Sequence, residues 1–170
     1  GQDLEEAARL YKLAAEAGYP RAMCSYGRCC EAGQGVKKDT AQAAAWYQKA
    51  AEAGDASGAC SLGYLYETGE GVPQSWENAV TWYRQAAEQG QPRGQYLLGW
   101  CYEHGKGVPP SVERARELYE ASARQDFRHA VEALERLKNG PAPELSKKKQ
   151  PEKKPPEKGS FFKGLFGKKK

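Results

Sequence analysis

Glycine placement constrains this chain more than any other feature. Gly18, Gly54 and Gly90 are spaced by 36 residues, and so are Gly27, Gly63 and Gly99; Gly33, Gly69 and Gly105; and Gly35, Gly71 and Gly107. Twelve of the nineteen glycines thus occupy four phases of one unit, so the glycines punctuate a repeat and do not mark general flexibility. Val36, Val72 and Val108 keep step, as do Tyr47, Tyr83 and Tyr119, and Ala51, Ala87 and Ala123.

Each unit reads as two helices. The first spans about residues 20–32 and stops at Gly33 or its equivalents, followed by a Gly-x-Gly-Val turn. The second starts at Asp39, Ser75 or Ser111, all good N-cap types, with Asp3 in the same phase. Glu6 and Gln42 stand three residues after their caps, the spacing of a capping box. Ala43, Trp46, Tyr47, Ala50 and Ala51 fall at i, i+3, i+4, i+7 and i+8, one helical face of small and large residues, repeated by Ala79, Trp82, Tyr83, Ala86 and Ala87. Gly27, Gly63 and Gly99 lie inside first helices, where glycine costs about 1 kcal/mol against alanine. Their recurrence predicts a close crossing by the partner helix. In the last unit the Gly18 phase is taken by Asp126, which predicts a less regular junction.

The run Leu62-Gly63-Tyr64-Leu65-Tyr66, then Gly69-Glu70-Gly71-Val72, then Trp82 to Gly90, resembles the Sel-one-like repeat (SLR) family, a relative of the tetratricopeptide repeats, over roughly residues 3–138. The resemblance implies an all-α fold, a right-handed α-solenoid of 36-residue hairpins that usually serves as a protein-binding scaffold. On this reading residues 1–17 are a half repeat, 18–125 three repeats, and 127–138 a capping helix, because Glu135 stands in the phase of the helical glycines and Lys138 in an aromatic phase. The chain begins mid-unit, at a second helix carrying Ala7, Leu10, Tyr11, Ala14 and Ala15 without its first-helix partner. It therefore reads as a fragment of a longer protein, with any signal peptide lost alongside the earlier repeats.

Charge divides the chain in two. The total is +4, but residues 146–170 hold ten Lys against two Glu, a net of +8, leaving the body at −4. The Lys- and Pro-rich segment 139–170 is expected to be disordered. It ends in Phe161, Phe162, Leu165 and Phe166, which share one helical face edged with lysine. This short basic amphipathic motif gives an alternative role, an adaptor held at an anionic membrane or acidic partner. Aromatics are not interleaved with the first lysine cluster, which argues against nucleic acid.

Catalytic and metal constellations are not evident, and no cofactor is expected. The glycine turns lack the Gly-Lys-Ser/Thr of a phosphate loop. Cys101 and His104 are spaced like two ligands, but no second pair completes a zinc site. Neither His104 nor His129 has a sequence-evident triad partner. The family resemblance brings in a cysteine-rich branch with one disulfide per hairpin, some members of which are described as β-lactamases. Here five cysteines, an odd number, offer no pair bridging the two helices of a hairpin. Reduced, partly buried thiols in a reducing compartment, the cytoplasm, are expected instead, and β-lactam hydrolysis is a remote alternative.

In related tetratricopeptide arrays the first helices line a concave groove. Carried over by phase, the groove here holds Arg21, Ser57 and Arg93; Cys24, Cys60 and Tyr96; Arg28, Tyr64 and Trp100; and Glu31, Glu67 and Glu103, with His104 beside the last. Arg, Tyr and Trp are the types enriched in binding hot spots. The expected function is a non-catalytic scaffold binding a protein or peptide segment on that face. Against this, Tyr64 and Trp100 also suit half-buried packing between repeats, and the glutamate row also suits a solvated face.

Overall fold

The computed structural model describes residues 1–140. Capping side chains set the helix starts. Asp39 Oδ1 accepts from the Gln42 N–H at 2.9 Å, Ser75 Oγ from Asn78 at 3.2 Å, and Ser111 Oγ from Arg114 at 3.3 Å. These open α3 (Thr40–Glu52), α5 (Trp76–Glu88) and α7 (Val112–Ala123). First helices α2 (Pro20–Ala32), α4 (Ala56–Thr68) and α6 (Pro92–His104) close on Gly33, Gly69 and Gly105, each in the left-handed region. Caps that the sequence did not advertise open two of them: Asp55 accepts from Gly58 at 2.7 Å and Gln91 from Gly94 at 3.0 Å. A half unit, α1 (Gln2–Glu16), precedes, and α8 (Arg128–Lys138) follows.

Two capping expectations are corrected. Asp3 lies inside α1, whose N-cap is Gly1, and makes no cap hydrogen bond, because the helix runs to the start of the chain. The reciprocal half of the capping box does not form either. Glu6 pairs with Arg9 at 2.7 Å, and the Gln42 amide oxygen accepts from the Cys30 thiol at 3.0 Å. The partner one turn along, or across the hairpin, wins over the helix's own first N–H.

Each hairpin is closed by a backbone bond from the second-helix cap to the end of the first helix: Asp39 N–H to Cys30 O, Ser75 to Tyr66, Ser111 to Tyr102, at 2.8–2.9 Å. Packing inside the hairpin rests on one tyrosine. Tyr47, Tyr83 and Tyr119 are fully buried, and each ring lies on the helical glycine of its own unit. A Cβ at Gly63 would stand 2.6 Å from Tyr83 Cδ1 and Cε1; at Gly27 and Gly99 the figures are 2.7 and 2.8 Å. A close crossing is present, but its cause is a tyrosine ring more than opposing backbone, which lies at 3.1–3.4 Å.

Units are joined through the turns. Gly35, Gly71 and Gly107 have positive φ, and a side chain on any of them would strike the backbone of Leu4, Thr40 or Trp76, at the start of the preceding unit's second helix. Glycine is required here twice, for its backbone angle and for its missing Cβ. The junction after α7 is somewhat less regular: α7 ends one residue short of the phase where α3 and α5 end, and Phe127 N–H reaches Ser122 O at 3.4 Å where Asp55 reaches Ala50 O at 2.9 Å, although Asp126 adopts φ 58, the left-handed conformation of its glycine counterparts, and bonds to Ala123 O as Gly54 does to Ala51 O. Aspartate tolerates this region better than most side chains.

First helices of successive units touch, α2 with α4 and α4 with α6, while second helices stand further apart. The array therefore curves with first helices inside. At one end, Leu10 and Tyr11 of α1 are exposed, although their phases are half-buried and buried elsewhere, since among the described residues α1 has no first helix of its own unit to close against; Leu4 and Leu13 are exposed as well. At the other end, α8 buries Ala130 and Ala133 and exposes Glu135 and Lys138. Among the described residues no helix is long and apolar enough to cross a membrane.

Candidate interaction surface

The inner face divides into residues the fold consumes and residues it leaves to solvent. The glutamate row is consumed. Tyr47 Oη donates to Glu31 Oε2 at 2.5 Å, Tyr83 to Glu67 at 2.5 Å, and Tyr119 to Glu103 at 2.6 Å. A solvated row is thereby corrected to a set of acceptors for three buried phenols. Burial first, and the adjacent carboxylate second, pushes each of these tyrosines above its ordinary range. Without the glutamates, each hydroxyl would be a buried donor with no acceptor, at a cost of about 1–3 kcal/mol. The pairing had a sequence signal: Tyr and Glu recur sixteen residues apart in all three units.

Glu103 has a second duty. Arg136 of α8 binds it bidentately, Nη1 to Oε1 at 2.5 Å and Nη2 to Oε2 at 2.9 Å. Burial raises the Glu103 pKa, but the bonds from Arg136 and Tyr119 outweigh it and the net shift is downward. The sequence reading missed the role of Arg136, which stands in the phase of Arg28, Tyr64 and Trp100.

The Cys24, Cys60 and Tyr96 row is also corrected. Cys24 and Cys60 are 4% and 1% exposed, because this phase faces the next first helix across the α2–α4 and α4–α6 seams. Tyr96 lies with its ring centroid 5.6 Å from those of Tyr119 and Phe127 and 5.8 Å from that of His129, packing the last hairpin onto α8. All five cysteines are free and buried, Cys30, Cys60 and Cys101 fully so. Burial pushes Cys24 and Cys60 up to about 11 and Cys101 up to about 12, which makes them poor nucleophiles.

Trp100 is half-buried in a stack, 5.8 Å from Trp76 and 4.2 Å from His104. His104 Nδ1–H donates to the Trp100 carbonyl at 2.9 Å. What solvent meets is Arg21, Arg28, Ser57, Tyr64, Arg93 and His104. Arg93 lies over the Tyr64 ring at 5.9 Å, bridging two repeats, and Arg28 reaches only Ser25, at 3.4 Å. Among the described residues, Arg21, Arg28 and Arg93 have no carboxylate partner. The inner face therefore offers guanidiniums without a carboxylate partner, beside glutamates that keep their charge while accepting from the buried tyrosines. No group of three or more His, Cys, Asp or Glu among the described residues is placed to hold a metal. The tail motif, Phe161, Phe162, Leu165 and Phe166, lies outside the described residues.

Hairpins of this length, turn and curvature define an α-solenoid repeat protein. The chain belongs to the Sel1 repeat family, whose profile matches residues 1–19, 20–55, 56–91 and 92–127. Proteins of this family are generally protein-interaction scaffolds and are typically non-catalytic. Among solved structures, the chain is similar to a protective antigen of uropathogenic Escherichia coli with an SLR fold (TM-score 0.74, 35% identity over 81% of this chain). It spans 30% of that antigen's length. A Sel1 repeat protein from Oxalobacter formigenes is similar at 34% identity, covering 74% of this chain and 94% of that one, with TM-score 0.68. The cysteine rich protein B of Helicobacter pylori shares the fold, with TM-score 0.63 and 24% identity over 78% of this chain and 95% of that one. No curated protein matches the sequence significantly.

Proposed function

We propose that this chain binds an extended, acidic segment of a partner protein along the inner face of its first helices. The observation that carries this is the set of guanidiniums on that face, Arg21, Arg28 and Arg93, unpaired among the described residues and running alongside the exposed Tyr64 ring. Free guanidiniums bind carboxylates with two parallel hydrogen bonds, and an adjacent ring supplies apolar area at low entropy cost. Trp100 and His104 cap one end of the path as a preformed stack. Cys24, Cys60, Tyr96 and the glutamates support this face from beneath and do not touch the ligand.

A second reading rests on the charge split between a body of −4 and a tail segment of +8. In it the tail carries the chain to an anionic surface, each lysine contributing at most about 1 kcal/mol near an acidic membrane. One experiment separates the two. Affinity capture from the source lysate is compared for the full chain, for Arg28→Ala with Tyr64→Ala, and for a form ending at residue 140. Loss of the captured protein with the double substitution, at unchanged helicity, is the expected result. Capture unchanged by the substitutions but lost on shortening assigns binding to the tail and refutes the groove.

A further inference from the structure

Because second helices stand apart, a cleft opens between α5 and α7 on the outer side of the array. Arg84 of α5, Tyr102 of α6 and Arg114 of α7 meet in it, lining a cavity of about 320 Å³ with Leu98 and Leu118 as its apolar wall. An adjoining cavity of about 320 Å³ shares the same three residues and is closed by Val108 and Pro109. Tyr102 follows Trp100 by two residues, so it lies on nearly the opposite side of α6 from the stacked tryptophan. The cleft is thus separate from the inner face.

Arg114 Nη1 donates to Tyr102 Oη at 3.2 Å, and its guanidinium lies 5.4 Å from the ring centroid. Arg84 lines the same two cavities from the other wall. Burial raises the Tyr102 pKa, but the two guanidiniums outweigh it and the net shift is downward. Two cations drawn to one buried hydroxyl repel each other, and a single phenol oxygen leaves most of their N–H donors unused. Neither Arg84 nor Arg114 has an ion-pair partner among the described residues. Glu88 and Glu117 line the cleft but follow their arginines by four and three residues, the weaker order for pairing along a helix.

The arginines are not part of the repeat framework. One unit earlier, the same three phases hold Gln48, Tyr66 and Asn78, so the tyrosine recurs while neutral amides replace both guanidiniums. The hairpin therefore folds without them. Charge selects the occupant: the two rim glutamates offset the two arginines in net charge, so a monoanion that reaches both guanidinium forks is favoured over a phosphate dianion, which would face both carboxylates. The leucine wall suits apolar groups beside that charge.

We propose that Arg84, Tyr102 and Arg114 form a carboxylate-binding site for a glutamate side chain of a partner peptide flanked by apolar residues. The test uses the full chain labelled with nitrogen-15 and the tripeptide Leu-Glu-Leu, acetylated and amidated so that its side chain is the only carboxylate. Saturable shifts of the Arg84 and Arg114 Nε–H signals are expected. Arg84→Gln or Arg114→Gln, both at exposed side chains and leaving helicity intact, should each weaken binding about tenfold. Arg28→Ala with Tyr64→Ala should leave this titration unchanged, which separates it from the inner-face reading. Equal binding of the Leu-Gln-Leu peptide, tighter binding of inorganic phosphate at the same two signals, or no shift at all would overturn the proposal.

Discussion

Gly63→Ala is the sharpest test of how the hairpins hold together. In an unconstrained helix the change is favourable by about 1 kcal/mol. Here the new methyl would sit 2.6 Å from two carbons of the Tyr83 ring and 3.1 Å from the Ala79 carbonyl oxygen. Ordinary carbon contacts lie at about 3.5–4.0 Å, so the ring must retreat by about 1 Å. It has nowhere to go, being fully buried with its hydroxyl bound to Glu67 at 2.5 Å. Overpacking of this kind costs about 1–3 kcal/mol, and a pinned ring belongs at the upper end. After the helix gain is subtracted, a net loss of about 2 kcal/mol is expected. Urea unfolding followed by far-ultraviolet circular dichroism measures it. Adding Tyr83→Phe removes the anchor at Glu67 and lets the ring slide, so the penalty of Gly63→Ala should shrink by at least about 0.5 kcal/mol in that background. A variant as stable as the parent, or more so, would refute the ring-on-glycine account.

Two further outcomes follow from the paired groups. Tyr47, Tyr83 and Tyr119 have folded pKa values raised above the ordinary 10.0, so their contribution to stability is full below that pH and is lost as pH rises past it, when only the unfolded chain ionises; urea midpoints from about pH 9 to about pH 11 should fall, and less steeply in Tyr83→Phe. Glu103 shows the opposite sign, with a folded pKa below 4.5, so the docking of α8 should weaken as pH falls through and below that value. Arg136→Gln should mimic the acid effect at neutral pH, costing about 1 kcal/mol after allowance for the exposed guanidinium, with hydrogen-exchange protection lost in α8 before α6.

Periodicity made the hairpins legible. Proline, glycine and cap residues recur at fixed offsets, and each acts through local backbone geometry that a sequence displays directly. The inner face was harder, because a helical phase states which side of a helix a residue occupies but not what lies opposite. Cys24 and Arg28 are four residues apart on adjoining positions, yet one meets the next helix and the other meets water. The glutamates looked like a solvated row because their partners sit sixteen residues away on another helix, although the matched recurrence of Tyr and Glu was there to be read. Arg84, Tyr102 and Arg114 come from three helices and break the repeat, so a search for recurring phases passes over them. Asp126 departs from the glycine pattern in identity while keeping the glycine conformation, which a break in the pattern alone does not reveal.

The turn glycines Gly35, Gly71 and Gly107 make the array directional. Each stands in one unit but fits against the helix start of the unit before it, where only a bare backbone can approach. A substitution at Gly107 should therefore loosen the start of α5 and register as a defect in its neighbour, one unit before the residue that was changed.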